Sequence, residues 1–247
     1  MAQILIVAVA TLLLWPSQAD AWGPLTHVHL GSEILASFGP MIPAGIYAII
    51  RKYREDFIYG NLMADAILAK KYLPYEKHPH NWDITARLES SACTDSEYAF
   101  MLGYLTHLAA DTVAHGKMTT GKTTFNHLAI EMRADSSMSR EHWMEAMSIS
   151  PSVQRRNDAF LRGAVHQAIF SFNTNKRLFK GMVALSGANL AYKPFMAARS
   201  PELTSMLEVS RDRMVDVLRV GRFSEVTAHD AISDHSKDSL LFRRLIG

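Results

Sequence analysis

"SEYAFMLGYLTHLAADTVAHG", residues Ser96 to Gly116, is the stretch on which the fold turns. Apolar side chains fall around its whole circumference, at Phe100, Met101, Leu102, Leu105, Leu108, Ala109 and Val113, which predicts a helix running through a core rather than over one. Yet His107, Asp111 and His115 recur every fourth residue and so share one face, two turns long. An ionised aspartate on such a helix is costly unless it is paired or coordinates a cation. Gly103, one turn before His107 on the same face, is read as leaving room above it. Taken alone, the helix fits either a metal site or an aspartate hydrogen-bonded between two histidines.

Outward from this helix the same periodicity recurs, over residues 26–38, 42–52, 54–72 and 83–90 before it and 122–134, 138–147, 151–172, 176–197 and 201–219 after it. A last amphipathic piece is expected over 224–244. Breakers such as "FGPMIP", "LPYEKHPHNW", "HGKMTTGK" and "SISPS" fall between these segments, and strand-like alternation is scarce. The expected architecture is all-α: a single-domain multi-helix bundle over residues 22–247, with a metal cluster in a cleft between helices.

The net charge of +2 on 247 residues is too mild to argue for a nucleic-acid partner. Cys93 is the only cysteine, which excludes an internal disulfide and leaves stability to packing and metal ions. Eleven histidines are more than this length leads one to expect, and several fall at regular spacing.

"FNHLAIEMRAD" sets His127 and Glu131 one turn apart, the spacing at which one helix offers two ligands to an ion, although the same pair can be a solvated surface contact. Asp65 lies in "YGNLMADAIL", read as an apolar helix where a carboxylate needs a reason, and His80 in the turn "HPHNWD". With His27 these make a set of His27, Asp65, His80, His107, Asp111, His115, His127 and Glu131. Imidazole and carboxylate without thiolate suit zinc, and the set is too large for one tetrahedral ion, so it points to a cluster. His29, His78, His142, His166, His229 and His235 are set aside, with His78 the competitor of His80 and His142 that of His127.

At the other end of the chain, residues 4–15, "ILIVAVATLLLW", are apolar but for Thr11 and are followed by Pro16 and the small-x-small tripeptide Ala19-Asp20-Ala21. The run is short for a membrane span, which needs roughly 20 residues. Residues 1–21 therefore read as a secretory signal peptide, which predicts a secreted or periplasmic protein; the alternative is an uncleaved anchor, since no Lys or Arg precedes the run. Cleavage after Ala21 would make Trp22 the first residue, in "WGPLTH".

An amino-terminal Trp, this order of His and Asp residues and an all-α chain resemble the superfamily of bacterial zinc-dependent phospholipases C and fungal and plant single-strand nucleases. "HLAADTVAHG" is especially similar to the amino-terminal domain of glycosylphosphatidylinositol-specific phospholipase D in its His-x3-Asp-x3-His spacing. The resemblance spans Trp22 to Glu131. It implies three zinc ions: one on Asp65, His80, His107 and Asp111; a second on the Trp22 amine and carbonyl, His27 and the bridging Asp111; a third on His115, His127 and Glu131. The five-residue step from Trp22 to His27 matches the nuclease branch and the Glu at 131 the phospholipase branch, whereas the step from Asp111 to His115 is shorter than in the secreted bacterial enzymes. An amino-terminal amine beside its own carbonyl can chelate a metal, and with a pKa near ~7.7 to 8.0 it loses its proton readily.

The activity this implies is phospholipase C-type hydrolysis of a phospholipid at a membrane surface, by attack of a metal-bound hydroxide on phosphorus with Asp65 and Asp111 as catalytic residues. A stable nucleic-acid complex is not expected, and the protein is expected to be a monomer. Two rivals stand beside this reading: a single-strand nuclease on the same metals, which would need aromatic platforms for bases, and a non-catalytic protein whose zinc only holds helices together.

Overall fold

The computed structural model describes residues 22–68, 70, 73–118, 134–167, 170–189, 201–229 and 231–232, with the backbone alone at 115–118 and 188–189. Its helices are α1 Pro24–Ser37, α2 Ala44–Lys52, α3 Arg54–Met63, α4 Trp82–Ser91, α5 Asp95–Met118, α6 Arg140–Ser148, α7 Pro151–Ala164, α8 Phe172–Asn189 and α9 Pro201–Val220. Among the described residues there is no strand. No helix among them is long and apolar enough to cross a membrane. The fold is an all-α bundle.

Helix α5 is the axis of the bundle, as its apolar circumference requires. Phe100, Tyr104, Leu108, Ala109 and Ala110 are fully buried, and α5 packs most extensively on α3 and α9. Burial of a side chain such as Phe100 or Phe57 contributes roughly 2 kcal/mol. Helix starts follow the proline rule: Pro24, Pro151 and Pro201 open α1, α7 and α9, where the missing N–H would have had no partner in the helix.

Gly103 does leave room, and another helix fills it. A Cβ there would lie 2.0 Å from the Phe57 carbonyl oxygen, and one on Gly60 would lie 2.1 Å from that of Phe100. Two glycines face each other at the α3–α5 crossing, so the backbones meet without side chains between them. This close crossing brings the end of α3 against the His107 face of α5.

Several boundaries differ from those expected from periodicity. Helix α3 stops at Met63 rather than continuing to 72, and Asp65 sits in the turn after it, not inside a helix. The apolar pattern ran on because Ala66 and Ile67 are buried all the same, while the chain is drawn off the helical path by tertiary bonds. The Asp65 carboxylate is engaged by Lys70 and His80, and the Leu68 N–H donates to Asn175 Oδ1. Helix α7 likewise stops at Ala164, where Val165 turns extended, and Asn175 and Gln167 tie the connection to α8. At the carboxyl end, residues 225–228 form a short 3-10 turn. The residues from 233 on and the helix expected over 122–134 lie outside the described residues, except Ala134, which is helical together with residues 135–137.

Candidate metal centre

Six of the nine residues singled out in the sequence converge at the α1–α3–α5 junction: Trp22, His27, Asp65, His80, His107 and Asp111. Within this group, one atom from each of Asp65, His80, His107 and Asp111 lies within 4.8 Å of every other, the arrangement of a candidate metal site. The His115 side chain, His127 and Glu131 lie outside the described residues.

Each member is held by its own local device. His107 and Asp111, one turn apart on α5, meet with Nε2 3.1 Å from Oδ2. The glycine crossing places the Asn61 carbonyl 2.8 Å from His107 Nδ1. Nδ1–H donation to that carbonyl leaves the Nε2 lone pair facing Asp111, the usual orientation of a metal-bound imidazole. Asn61 is itself fixed, with Nδ2 donating to the Phe57 carbonyl. His80 precedes the Asn81 N-cap of α4, whose side chain accepts from the Asp83 N–H. Its loop is pinned by the Tyr104 hydroxyl donating to the Pro79 carbonyl at 2.6 Å and by the His80 N–H donating to His78 Nδ1 at 3.1 Å. His80 then presents Nε2 3.1 Å from Asp65 Oδ1 and Nδ1 3.6 Å from Asp111 Oδ2.

His27, on α1, stacks on His107 with ring centroids 3.7 Å apart and places Nε2 3.2 Å from Asp111 Oδ1. The Trp22 nitrogen lies 3.2 Å from the same oxygen. The Trp22 indole is a packing element, 1 % exposed, with Nε1 donating to Ser210 Oγ on α9.

The polar balance of this cluster is that of a cation site. His27 Nδ1 and Nε2, His107 Nε2 and Asp111 Oδ2 are buried without a hydrogen-bond partner, although several stand about 3 Å apart. Close approach without hydrogen-bond geometry is what lone pairs aimed at a shared point produce, and buried groups left so are otherwise costly. The charges agree. Burial opposes ionisation of Asp111, but His107 and His27 outweigh it and hold the carboxyl well below the usual range. Asp65 is held low against its own burial by Lys70, then His107 and His80. Burial, with Lys70 second, pushes His80 down to about 4, and burial with His107 lowers His27. Only His107 is raised, because Asp111 and Asp65 overcome its burial. Ionised carboxylates and neutral imidazoles are the forms that bind a divalent ion, so Asp65, Asp111, His27 and His80 already favour the ligating form, while on His107 a cation would have to displace the proton that the two carboxylates favour. The residues fit zinc.

Two participants were not foreseen. Lys70 Nζ stands 2.6 Å from Asp65 Oδ1 and 2.9 Å from His80 Nε2, at the edge of the cluster where the Asp65 side chain is 18 % exposed. A lysine in "ILAKK" reads as an ordinary surface charge until the turn after α3 folds it back. His78, set aside as the competitor of His80, is buried and supports His80 through its backbone. Of the other excluded histidines, His29 and His142 pair with each other at 2.9 Å between α1 and α6, and His166 lies exposed near Arg87.

Residues 26–177 match the zinc-dependent phospholipase C family. That is more than half of the chain, and the protein belongs to this family. No curated protein and no solved structure matches it.

Proposed function

We propose that this protein is an exported zinc-dependent phosphodiesterase that hydrolyses phospholipids in the manner of phospholipase C, acting as a monomer at a lipid surface. Membership of the zinc-dependent phospholipase C family supports a hydrolase of this type. The single observation that carries the reading is the convergence of half-buried Asp65 with buried His80, His107 and Asp111, where His107 Nε2 and Asp111 Oδ2 have no hydrogen-bond partner. Zinc, when bound there, supplies positive charge for phosphoryl oxygens and acidifies water at neutral pH. Our assignment of three ions also uses Trp22, His27, His115, His127 and Glu131.

The chain's own residues divide the remaining work. Asp111, fully buried between three imidazoles, fixes the spacing of the centre. Asp65 is the member that reaches solvent, and its Oδ2, 3.8 Å from His107 Nε2, is placed to take a proton from an approaching water. Lys70 at the same edge offers a cation to an incoming phosphodiester.

The test is incubation of metal-loaded protein with phosphatidylcholine, phosphatidylinositol and single-stranded DNA, with and without chelator. Chelator-sensitive release of a phosphorylated head group is expected. Nucleotide release without head-group release would replace this reading with a nuclease, and zinc binding without either would leave a structural centre.

A further inference from the structure

Helix α1 carries one side of the centre, yet it begins without a cap of its own. Its N-cap is Gly23, at φ −70° and ψ 163°, which has no side chain to offer, and Pro24 follows. The first turn of a helix leaves backbone N–H groups that need outside acceptors. Here the acceptor comes from 110 residues away in the chain: Asp135 Oδ2 takes the Leu25 N–H at 3.2 Å. Asp135 Oδ1 takes the Thr26 N–H at 2.9 Å and the Thr26 hydroxyl at 2.8 Å. The carboxylate is 7 % exposed.

Gly23 is the counterpart of this contact. A Cβ built on it would lie 2.4 Å from both Cγ and Oδ1 of Asp135, so the space in which a local capping side chain would stand is taken by the distant one. On one side of the clamp is Trp22, with its nitrogen on Asp111. On the other is His27, whose N–H makes the first full helical bond, to the Gly23 carbonyl at 3.2 Å, and whose ring faces Asp111. Fraying of this turn would therefore shift both groups relative to α5.

We propose that Asp135 is a positioning residue for the metal centre: it caps α1 from across the fold and thereby holds Trp22 and His27 against Asp111. The proposal rests on the metal-centre reading above. It does not depend on which substrate is cleaved.

The experiment uses the full chain and zinc alone as the probe, with affinity measured by competition against a chromophoric chelator, and hydrogen exchange of the residue 25–28 amides measured on metal-free protein. Asp135→Ala should weaken zinc binding about 10-fold, the equivalent of one lost N-cap, and speed exchange at these amides. Asp135→Asn, which keeps shape and one acceptor oxygen, should fall between, and it serves if the alanine variant does not fold. Gly23 already has the extended backbone of an N-cap, so Gly23→Ser in the Asp135→Ala background should cap the turn locally and restore zinc affinity to within about 3-fold. A merely structural loss would not be rescued at that one position. Wild-type zinc affinity in Asp135→Ala, or no rescue by Gly23→Ser, would overturn the proposal. Failure of the wild-type chain to bind zinc would overturn the metal-centre reading instead, and exchange at residues 25–28 would still decide whether Asp135 holds α1.

Discussion

Two buried aspartates, Asp56 and Asp111, are surrounded in opposite ways. Asp56, on α3, is 2 % exposed and meets only donors: Arg156 Nε and Nη2 on one oxygen at 2.9 and 2.7 Å, Nη2 again on the other at 2.5 Å, and Asn157 Nδ2 at 2.7 Å. Asp111, on α5, is 0 % exposed and meets three imidazoles whose nearest nitrogens stand 3.1 to 3.6 Å away, and its Oδ2 is left without a hydrogen bond. The first is a completed ion pair that ties α3 to α7. In the second, Asp111 Oδ2 and the His27 and His107 nitrogens that face the carboxylate have no hydrogen-bond partner, and that polar balance, where burial does not, separates a candidate cation site from a completed ion pair.

The sharpest way to break this contrast is to remove the charge of Asp111 while keeping its shape. Asp111→Asn should lose at least ~100-fold in turnover, because the centre loses the anion that all three imidazoles face. Elemental analysis should find less zinc per chain in this variant. Full zinc content and undiminished turnover would show that Asp111 is another structural acid.

A smaller effect is expected on the other side. Arg156→Ala strips Asp56 of its bidentate partner and leaves Asn157 alone to satisfy it. Breaking a fully buried pair costs about 3–5 kcal/mol, but the Arg156 side chain is 41 % exposed and water can enter in its place. About 2 kcal/mol should be lost in a denaturant titration, with zinc content and turnover per folded molecule unchanged. A parallel loss of zinc would mean that the two regions are one.

The smallest effect should come from Tyr59→Phe, at the neighbouring Asp158. The Tyr59 hydroxyl donates to Asp158 Oδ1 at 2.6 Å, while Lys176 is bonded to Oδ2. Burial, reinforced by that carboxylate, pushes the phenol far above its ordinary range, so it is a fixed donor. Loss of one such bond, with the lysine still in place, should cost about 1 kcal/mol in the same titration and nothing in zinc affinity. A loss of several kcal/mol would show that Asp158 depends on the phenol as Asp56 depends on its arginine.

Legibility differed with distance along the chain. The one-turn spacing of His107 and Asp111 on an all-round apolar helix was enough to put them together in the core, because helix geometry alone decides which side chains share a face. The meeting of that face with Asp65, His80 and His27 came from family resemblance, since nothing local links a turn at 65, a loop at 80 and a helix at 27. The expected length of α3 was wrong for a related reason: buried Ala66 and Ile67 continue the apolar pattern although the backbone has already turned. Lys70 had no signal at all, because a lysine enters such a cluster only when a neighbouring turn carries it there.

The sequence by itself determined the helical class, the core status of α5 and the presence of more imidazole and carboxylate than a core needs. These depend on periodicity and composition, which are properties of short windows. Only the tertiary structure decided that Gly60 and Gly103 cross backbone to backbone and deliver the Asn61 carbonyl to His107, and that Asp135 caps a helix 110 residues before it. Those contacts join groups distant in the chain, and a glycine or an aspartate signals neither partner nor direction until packing brings the two surfaces within hydrogen-bond reach.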